Sequence, residues 1–298
     1  MTNTALMAIT ILGGLLSATF FLFQVMLITF FAPLPLFLIG LGVGLRPLYG
    51  AGLLATTIIL LFGGPFFGAE FFAVFVLGPA LLVNRALLNR KNSSGKVIWY
   101  PSSLLLRDLT YAAVLVMCLA LADYIYLTHT VDLHTLVKPF LKSLDPQGHF
   151  QDAEAILIKI FPVLPSLFAF FWAGMMLINA ALAQGLLVRF KRNLRPSPSF
   201  EGLEVPKVFL IGLGFSFILS LVGVGYVEIL GKNTAFVLIF PFFVSGLGLI
   251  HRGFHKTSFA TLGLTVFYFV LLLFLWPAFF VILVGILKPW IEKFIPPN

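Results

Sequence analysis

Residues 1–46 read MTNTALMAITILGGLLSATFFLFQVMLITFFAPLPLFLIGLGVGLR, and Arg46 is the first charged side chain in the chain. A transmembrane helix needs about 20 residues to cross a hydrocarbon core of about 30 Å. The run is therefore too long for one span and too apolar for a soluble surface. Ala32-Pro33-Leu34-Pro35 divides it, because proline ends or kinks a helix at the residue before it. This predicts a first span at 5–31 and a short second segment at 34–46 that carries Gly40, Gly42 and Gly44. At 1.5 Å per residue the second piece covers only about 20 Å. It either crosses a protein-lined region or re-enters.

The remaining chain has the same character. Of 298 residues, 60% are hydrophobic and 10% charged, with mean hydropathy +1.07 and 35 Phe against 7 Tyr and 4 Trp. Soluble domains hold about 45–50% apolar and about 25% charged residues, so composition excludes a soluble enzyme, a disordered chain and a disulfide scaffold. Cys118 is the single cysteine and lies in an apolar run. Met1-Thr2-Asn3-Thr4 carries no Lys or Arg and no cleavage site follows, so the first apolar stretch is expected to stay as a membrane helix. Further spans are expected at 48–63, 67–88, 99–127, 162–188, 207–229, 234–251 and 258–287. A polar loop at 89–96 precedes Trp99-Tyr100-Pro101, an aromatic pair suited to the membrane interface. In the polar excursion 128–160, Leu133, Leu136, Val137, Phe140, Leu141 and Leu144 repeat at three and four, and Asp145-Pro146-Gln147-Gly148 reads as a turn. The expected fold is an all-α polytopic transmembrane helix bundle of about nine membrane segments with an outer amphipathic helical hairpin.

Orientation follows from Lys and Arg in short loops. One side collects twelve cations (Arg46, Arg85, Arg90, Lys91, Lys96, Arg189, Lys191, Arg192, Arg195, Lys207, Arg252 and Lys256) against Glu201 and Glu204. The other holds Lys138, Lys142, Lys159, Lys232, Lys288 and Lys293 against eight acids, among them Glu70, Glu228 and Glu292. The first side is read as cytoplasmic. Nine spans then place the N-terminus inside and the C-terminus in the periplasm; a re-entrant second segment moves the N-terminus outside. The net charge of +8 marks orientation, not a nucleic-acid surface.

Ionisable groups within spans are functional candidates by default. Arg107 and Asp108 lie inside the fifth span, Asn179 and Gln184 inside the sixth. Adjacent helical residues point about 100° apart, so Arg107 and Asp108 need not pair with each other. Two readings stand for these four residues: pairing and packing across helices, or handling of a ligand or proton. Arg189, Arg192 and Arg195 form a basic cluster at a span end, suited to anionic lipid or to a cytoplasmic partner. His251 and His255 are four apart but have no carboxylate or cysteine nearby, so no metal site is expected. No HExxH, Walker loop, paired Asp-rich motif or Gly-x-Ser-x-Gly occurs, so neither catalysis nor a cofactor is expected. Gly14 with Ala18, Gly40 with Gly44 and Ala69 with Ala73 stand at helix-packing spacing.

Ala32-Pro33-Leu34-Pro35-Leu36, Trp99-Tyr100-Pro101, the stretch from Asn179 to Arg195-Pro196-Ser197-Pro198, and Pro241-Phe242-Phe243 with Gly246-Leu247 and His251 together resemble the domain-of-unknown-function 2232 family of bacterial multi-pass membrane proteins. The resemblance carries over no catalytic residue. It implies a distant similarity to the six-helix substrate-binding subunits of energy-coupling-factor transporters, in which Gly14 and Ala18 would dock a partner. It implies a further one to the rod-shape protein MreD, a scaffold. The expected organisation is a six-segment bundle over 1–190, a basic loop at 191–206 and three additional helices over 207–298. Two functions follow as expectations: an inner-membrane protein that binds or transports a small molecule, or a non-catalytic scaffold docking a membrane or cytoplasmic partner.

Overall fold

The computed structural model describes residues 2–144, 153–198, 203–255, 259–274 and 276–294. Among them the fold is helical apart from one small hairpin, and six helices are long and apolar enough to cross a membrane. These are Asn3–Leu22, Leu45–Gly63, Pro65–Ala86, Ser102–Thr130, Ala153–Arg189 and Tyr226–Phe254; a bent pair, Ala260–Leu273 with Trp276–Lys293, makes up to seven. The residues fall into two compact units, Met1–Leu109 with Trp172–Gly202, and Thr110–Phe171 with Leu203–Asn298.

In the first unit, helix α1 (Asn3–Leu22) is capped by Thr2, whose Oγ1 accepts from the Ala5 N–H at 3.3 Å. It buries a face of small residues, Gly13, Gly14, Ser17 and Ala18, with Phe21. Its partner α4 (Leu45–Gly63) answers with Leu48, Ala51, Gly52, Ala55 and Ile59. A Cβ on Gly14 would stand 2.8 Å from the Ala51 carbonyl oxygen, so the two backbones need that glycine to approach. The small-residue face that the resemblance assigned to partner docking is thus taken up inside the unit.

The first apolar run breaks earlier than Pro33. Gln24, at φ +51°, turns the chain out of α1; a single turn, α2 (Met26–Thr29), and the short α3 (Leu34–Gly42) follow. Such a break frees backbone carbonyls that lipid cannot satisfy. The Ser17 hydroxyl donates to the Ala32 carbonyl at 2.6 Å, and the Asn179 amide donates to that of Phe30 at 2.9 Å. Gly44, at φ +125°, then lets the chain reverse into α4.

The fourth span is α5 (Pro65–Phe71) and α6 (Leu77–Ala86) joined by a π-helical turn, Phe72–Val76. The wider turn leaves the Val74 carbonyl available, and the Trp172 indole N–H donates to it at 2.9 Å. The loop expected at 89–96 is instead an antiparallel hairpin of β1 (Asn89–Lys91) and β2 (Val97–Trp99). Asn92 Oδ1 closes its turn by accepting from the Ser94 and Lys96 N–H groups. α7 (Ser102–Thr130) and α10 (Leu164–Arg189) each contribute residues to both units.

In the second unit, α8 (Leu133–Leu144) and α9 (Ala153–Ile160) pack side by side, as the amphipathic stripe predicts. His134 and Lys138 both meet Glu154, at 2.7 and 3.9 Å. The turn expected at 145–148 lies outside the described residues. A short 3-10 turn, Phe161–Val163, leads into α10. Asn233 of α12 (Tyr226–Leu238) mends this joint: its amide donates to the Pro162 carbonyl at 2.8 Å, and its Oδ1 accepts the Ser166 N–H at 2.9 Å. α11 (Lys207–Val222) packs on α12, and Phe209, Leu238 and Phe242 form a core cluster. α13 (Phe240–His255) and α15 (Trp276–Phe294) cross at Gly246 and Gly285 with their backbones in contact.

Nine crossings were expected, and three of those segments differ. The second is broken and short. α11 has 16 residues, about 24 Å of rise against about 30 Å of hydrocarbon. The last, expected as one span at 258–287, is α14 (Ala260–Leu273) and α15, bent by 117°. Pro277, in the first turn of α15, lacks an N–H and so cannot carry the hydrogen-bond ladder of α14 on into α15. α15 in consequence brings Glu292 to Arg252, 2.7 Å apart, although the loop charges had set the two on opposite faces.

Replacing Gly246 by Ala is expected to push α13 and α15 apart and cost about 1–3 kcal/mol. Gly214→Ala on α11, where an added methyl meets nothing within 4 Å, serves as the neutral control. Thermal unfolding in detergent, followed by circular dichroism, compares the two.

Candidate functional site

The helix ends of the first unit are gathered by the segment after α10. That helix closes with a left-handed Lys191 (φ +53°) and a paired cap: the Lys191 N–H donates to the Val188 carbonyl and the Arg192 N–H to that of Leu187. The chain then turns back, and the Leu194 N–H reaches the Leu41 carbonyl at the end of α3, 3.0 Å away. Arg195 follows, 5% exposed. Its Nη1 donates to the Ala86 carbonyl, the last residue of α6, at 2.8 Å; Nη2 donates to that of Tyr100 at 3.4 Å and Nε to that of Pro196 at 3.2 Å. The guanidinium also lies over the Trp99 ring, 5.7 Å from its centroid. Among the described residues it has no carboxylate partner. Carbonyl dipoles, including the negative end of α6, hold the charge, and burial pushes its pKa down from the ordinary arginine value.

Between these ends lies a half-open cavity of about 200 Å³. Phe37 and Leu41 of α3, Leu82, Val83 and Ala86 of α6, and Leu105, Leu106 and Leu109 of α7 form its apolar wall. α10 adds Leu177, Ala180, Ala181, Gln184 and Gly185, and the returning segment adds Arg195, Ser197 and Pro198. Gln184 is 6% exposed. Its Nε2 donates to the Arg195 carbonyl at 2.9 Å, which assigns the amide and leaves the buried Oε1 without a partner. An unpaired acceptor in such surroundings is costly. Gly185 lies on the exposed rim, where an added Cβ would meet nothing within 4 Å.

The other intramembrane candidates do not converge here. Arg107 and Asp108 pair directly: Arg107 Nε and Nη2 donate to Asp108 Oδ1 at 3.0 and 2.8 Å. The second carboxylate oxygen accepts from Tyr100 Oη at 2.7 Å and faces Arg85 Nε at 3.2 Å. The 100° offset of neighbours matters little when one side chain is an arginine long enough to fold back. Asp108 is 8% exposed and satisfied on both oxygens, a structural hub for the ends of α6 and α7. Tyr100 has its pKa raised above the usual tyrosine range, by burial first and then by its bond to, and the charge of, Asp108. Asn179 is fully buried and holds the broken α2–α3 link; its Oδ1 has no partner.

The three loop arginines also separate. Arg189 and Arg192 are exposed and engage no carboxylate among the described residues, whereas Arg195 is buried. His251 Nδ1 lies 3.4 Å from Tyr268 Oη, and the side chain of His255 lies outside the described residues. Sequence reasoning gave Arg85 only a topological role, took Tyr100 as an interface marker, and passed over Asn233. The signal for Asn233 was an amide inside an apolar run, the criterion that selected Asn179.

A family model described as a predicted membrane protein (DUF2232) matches residues 8–287, and the chain belongs to that family. No curated protein and no solved structure matches it.

Two predictions test this geometry. Asn179→Leu leaves the Phe30 carbonyl unsatisfied and is expected to lower unfolding stability by about 1–3 kcal/mol. Because the folded pKa of Tyr100 is raised, its neutral phenol contributes stability that is full below the ordinary tyrosine value of about 10. That contribution is lost as pH rises through the higher folded value. The absorbance titration of the wild type minus that of Tyr100→Phe should show a phenolate appearing above the ordinary range.

Proposed function

We propose that this member of the DUF2232 family is a non-catalytic small-molecule-binding protein of the bacterial inner membrane, with its arginine-rich face towards the cytoplasm. The cavity among α3, α6, α7 and α10 carries the reading. It combines an apolar wall, an opening, and one buried acceptor, Gln184 Oε1, that the protein does not satisfy. Binding sites are concave, mostly apolar and furnished with a few placed polar groups. Transport through a polar site formed by Arg107, Asp108, Asn179 and Gln184 finds less support, because only Gln184 lines the cavity while the other three serve helix joints.

A second reading, a scaffold that docks an acidic cytoplasmic partner, is favoured by one observation. Arg189, Lys191 and Arg192 are exposed at the end of α10 without a carboxylate among the described residues.

Gly185→Phe separates the two. Gly185 lines the exposed rim of the cavity, so the bulky ring is expected to obstruct the opening. Replacing a helical glycine removes a penalty of about 0.5–1 kcal/mol, so the fold is expected to persist. Purification from native membranes followed by mass spectrometry should show a co-purifying small molecule reduced at least tenfold in the variant. An unchanged small-molecule content would remove the basis of the binding reading. A protein partner released by Arg189→Glu with Arg192→Glu would establish the scaffold instead.

A further inference from the structure

The chemistry of the cavity wall narrows what it accepts. Ser102, Gln184, Arg195 and Ser197 are the polar residues of an otherwise apolar lining, and Gln184 and Arg195 are the two whose bonding leaves capacity over. Gln184 Oε1 has no donor. Arg195 has a full charge but no carboxylate among the described residues, and three hydrogen bonds engage three of its N–H groups. A guanidinium carries five such donors, so two remain. Both residues are more than nine-tenths buried, at 6% and 5% exposure.

Among the described residues of the first unit, no carboxylate pairs with Arg195. The acids of the first unit that lie among the described residues are Glu70 and Asp108. Asp108 is occupied by Arg107, Arg85 and Tyr100, and Glu70 has no ion pair with Arg195. A cation inserted into an apolar wall is expensive unless an anion or several dipoles compensate it. Here three carbonyls and the face of the Trp99 ring do part of that work, and Arg195 is one of the residues that line the cavity.

We propose that the cavity takes an amphiphile with a single anionic head, carboxylate or phosphate, whose charge seats against Arg195 and whose chain lies along the leucines of α6 and α7. The proposal rests on the reading of the cavity as a binding site. It deepens that reading by assigning the ligand's charge. The volume of about 200 Å³ is below the ~300–1,000 Å³ of ordinary ligand pockets. The cavity therefore holds the head and the first part of the chain, and the rest leaves through the opening. Carboxylate and phosphate oxygens can each accept from the two remaining N–H groups, one on each terminal nitrogen. Gln184 Oε1 accepts from a hydroxyl or amide N–H beside the head where the ligand has one.

The test uses the full chain in nanodiscs of zwitterionic phosphatidylcholine and a series of equal chain length: an alkanoate, an alkyl phosphate, the alkanol and the alkyl trimethylammonium. Dissociation constants are measured for the unaltered protein and for Gly185→Phe. The expected result is that at least one anion binds tenfold or more tighter than the alkanol, equivalent to about 1.4 kcal/mol, with the cation weakest. Gly185→Phe should abolish the difference. Whichever anion binds tighter identifies the source, a fatty acid or a lipid phosphate. Equal binding of alkanol and anions, still blocked by Gly185→Phe, would overturn the anionic assignment and leave the binding site standing. Binding of none of the four, or binding indifferent to Gly185→Phe, would overturn the site itself and the proposal with it. Because the series is measured on the unaltered chain, the outcome does not depend on an Arg195 variant that could fail to fold.

Discussion

Inside hydrocarbon no water is present to receive a backbone carbonyl, so each interruption of a helix must be closed by a donor from the protein itself. This chain interrupts its helices often, and the same solution recurs. Ser17 serves Ala32, Asn179 serves Phe30, Trp172 serves Val74, and Asn233 serves Pro162. At the span ends Arg195 serves Ala86, and Lys288 with Ser245 serves Leu203. The scarce polar residues of a 60% hydrophobic chain are thus largely committed to holding broken helices together. Two carboxamides, Asn179 and Gln184, are only half committed, and of these Gln184 lines the cavity.

That commitment explains what could be read from residues alone. Hydropathy locates spans because apolar length is a local property; α4, α7 and α10 lie close to their expected limits. It does not locate breaks whose cost is met from far along the chain. Nothing near Gln24 announces that α1 ends there, because the compensating donor for Phe30 lies 149 residues away. The break between α14 and α15 is different: Pro277 lies inside the stretch 258–287 that hydropathy reads as one span, because apolar length alone does not register a missing N–H. The β-hairpin at 89–99 was hidden for a third reason, since its short strands are exposed and show no alternation against a core.

The site was legible to a similar degree. Arg107, Asp108, Asn179 and Gln184 were selected because polarity in a membrane demands an explanation, and each has one. The explanations differ, and only three-dimensional neighbours separate them. Arg195 shows the limit most clearly. In a run of cations it reads as one more orientation signal beside Arg189 and Arg192, yet its guanidinium is buried over Trp99 while theirs are exposed. No spacing rule distinguishes the three. The turn at Lys191 does, because it sends the following residues back towards the ends of α3 and α6.

The first unit is discontinuous: Met1–Leu109 is completed by Trp172–Gly202, with residues 110–171 between. During synthesis the ribosome delivers α1 to α6 long before it delivers Asn179, Trp172 and Arg195. The Phe30, Val74 and Ala86 carbonyls must wait through that interval without their final donors. Early segments can enter the bilayer, but they cannot lock until the end of α10 emerges. A chain cut before residue 172 would lack all three donors at once.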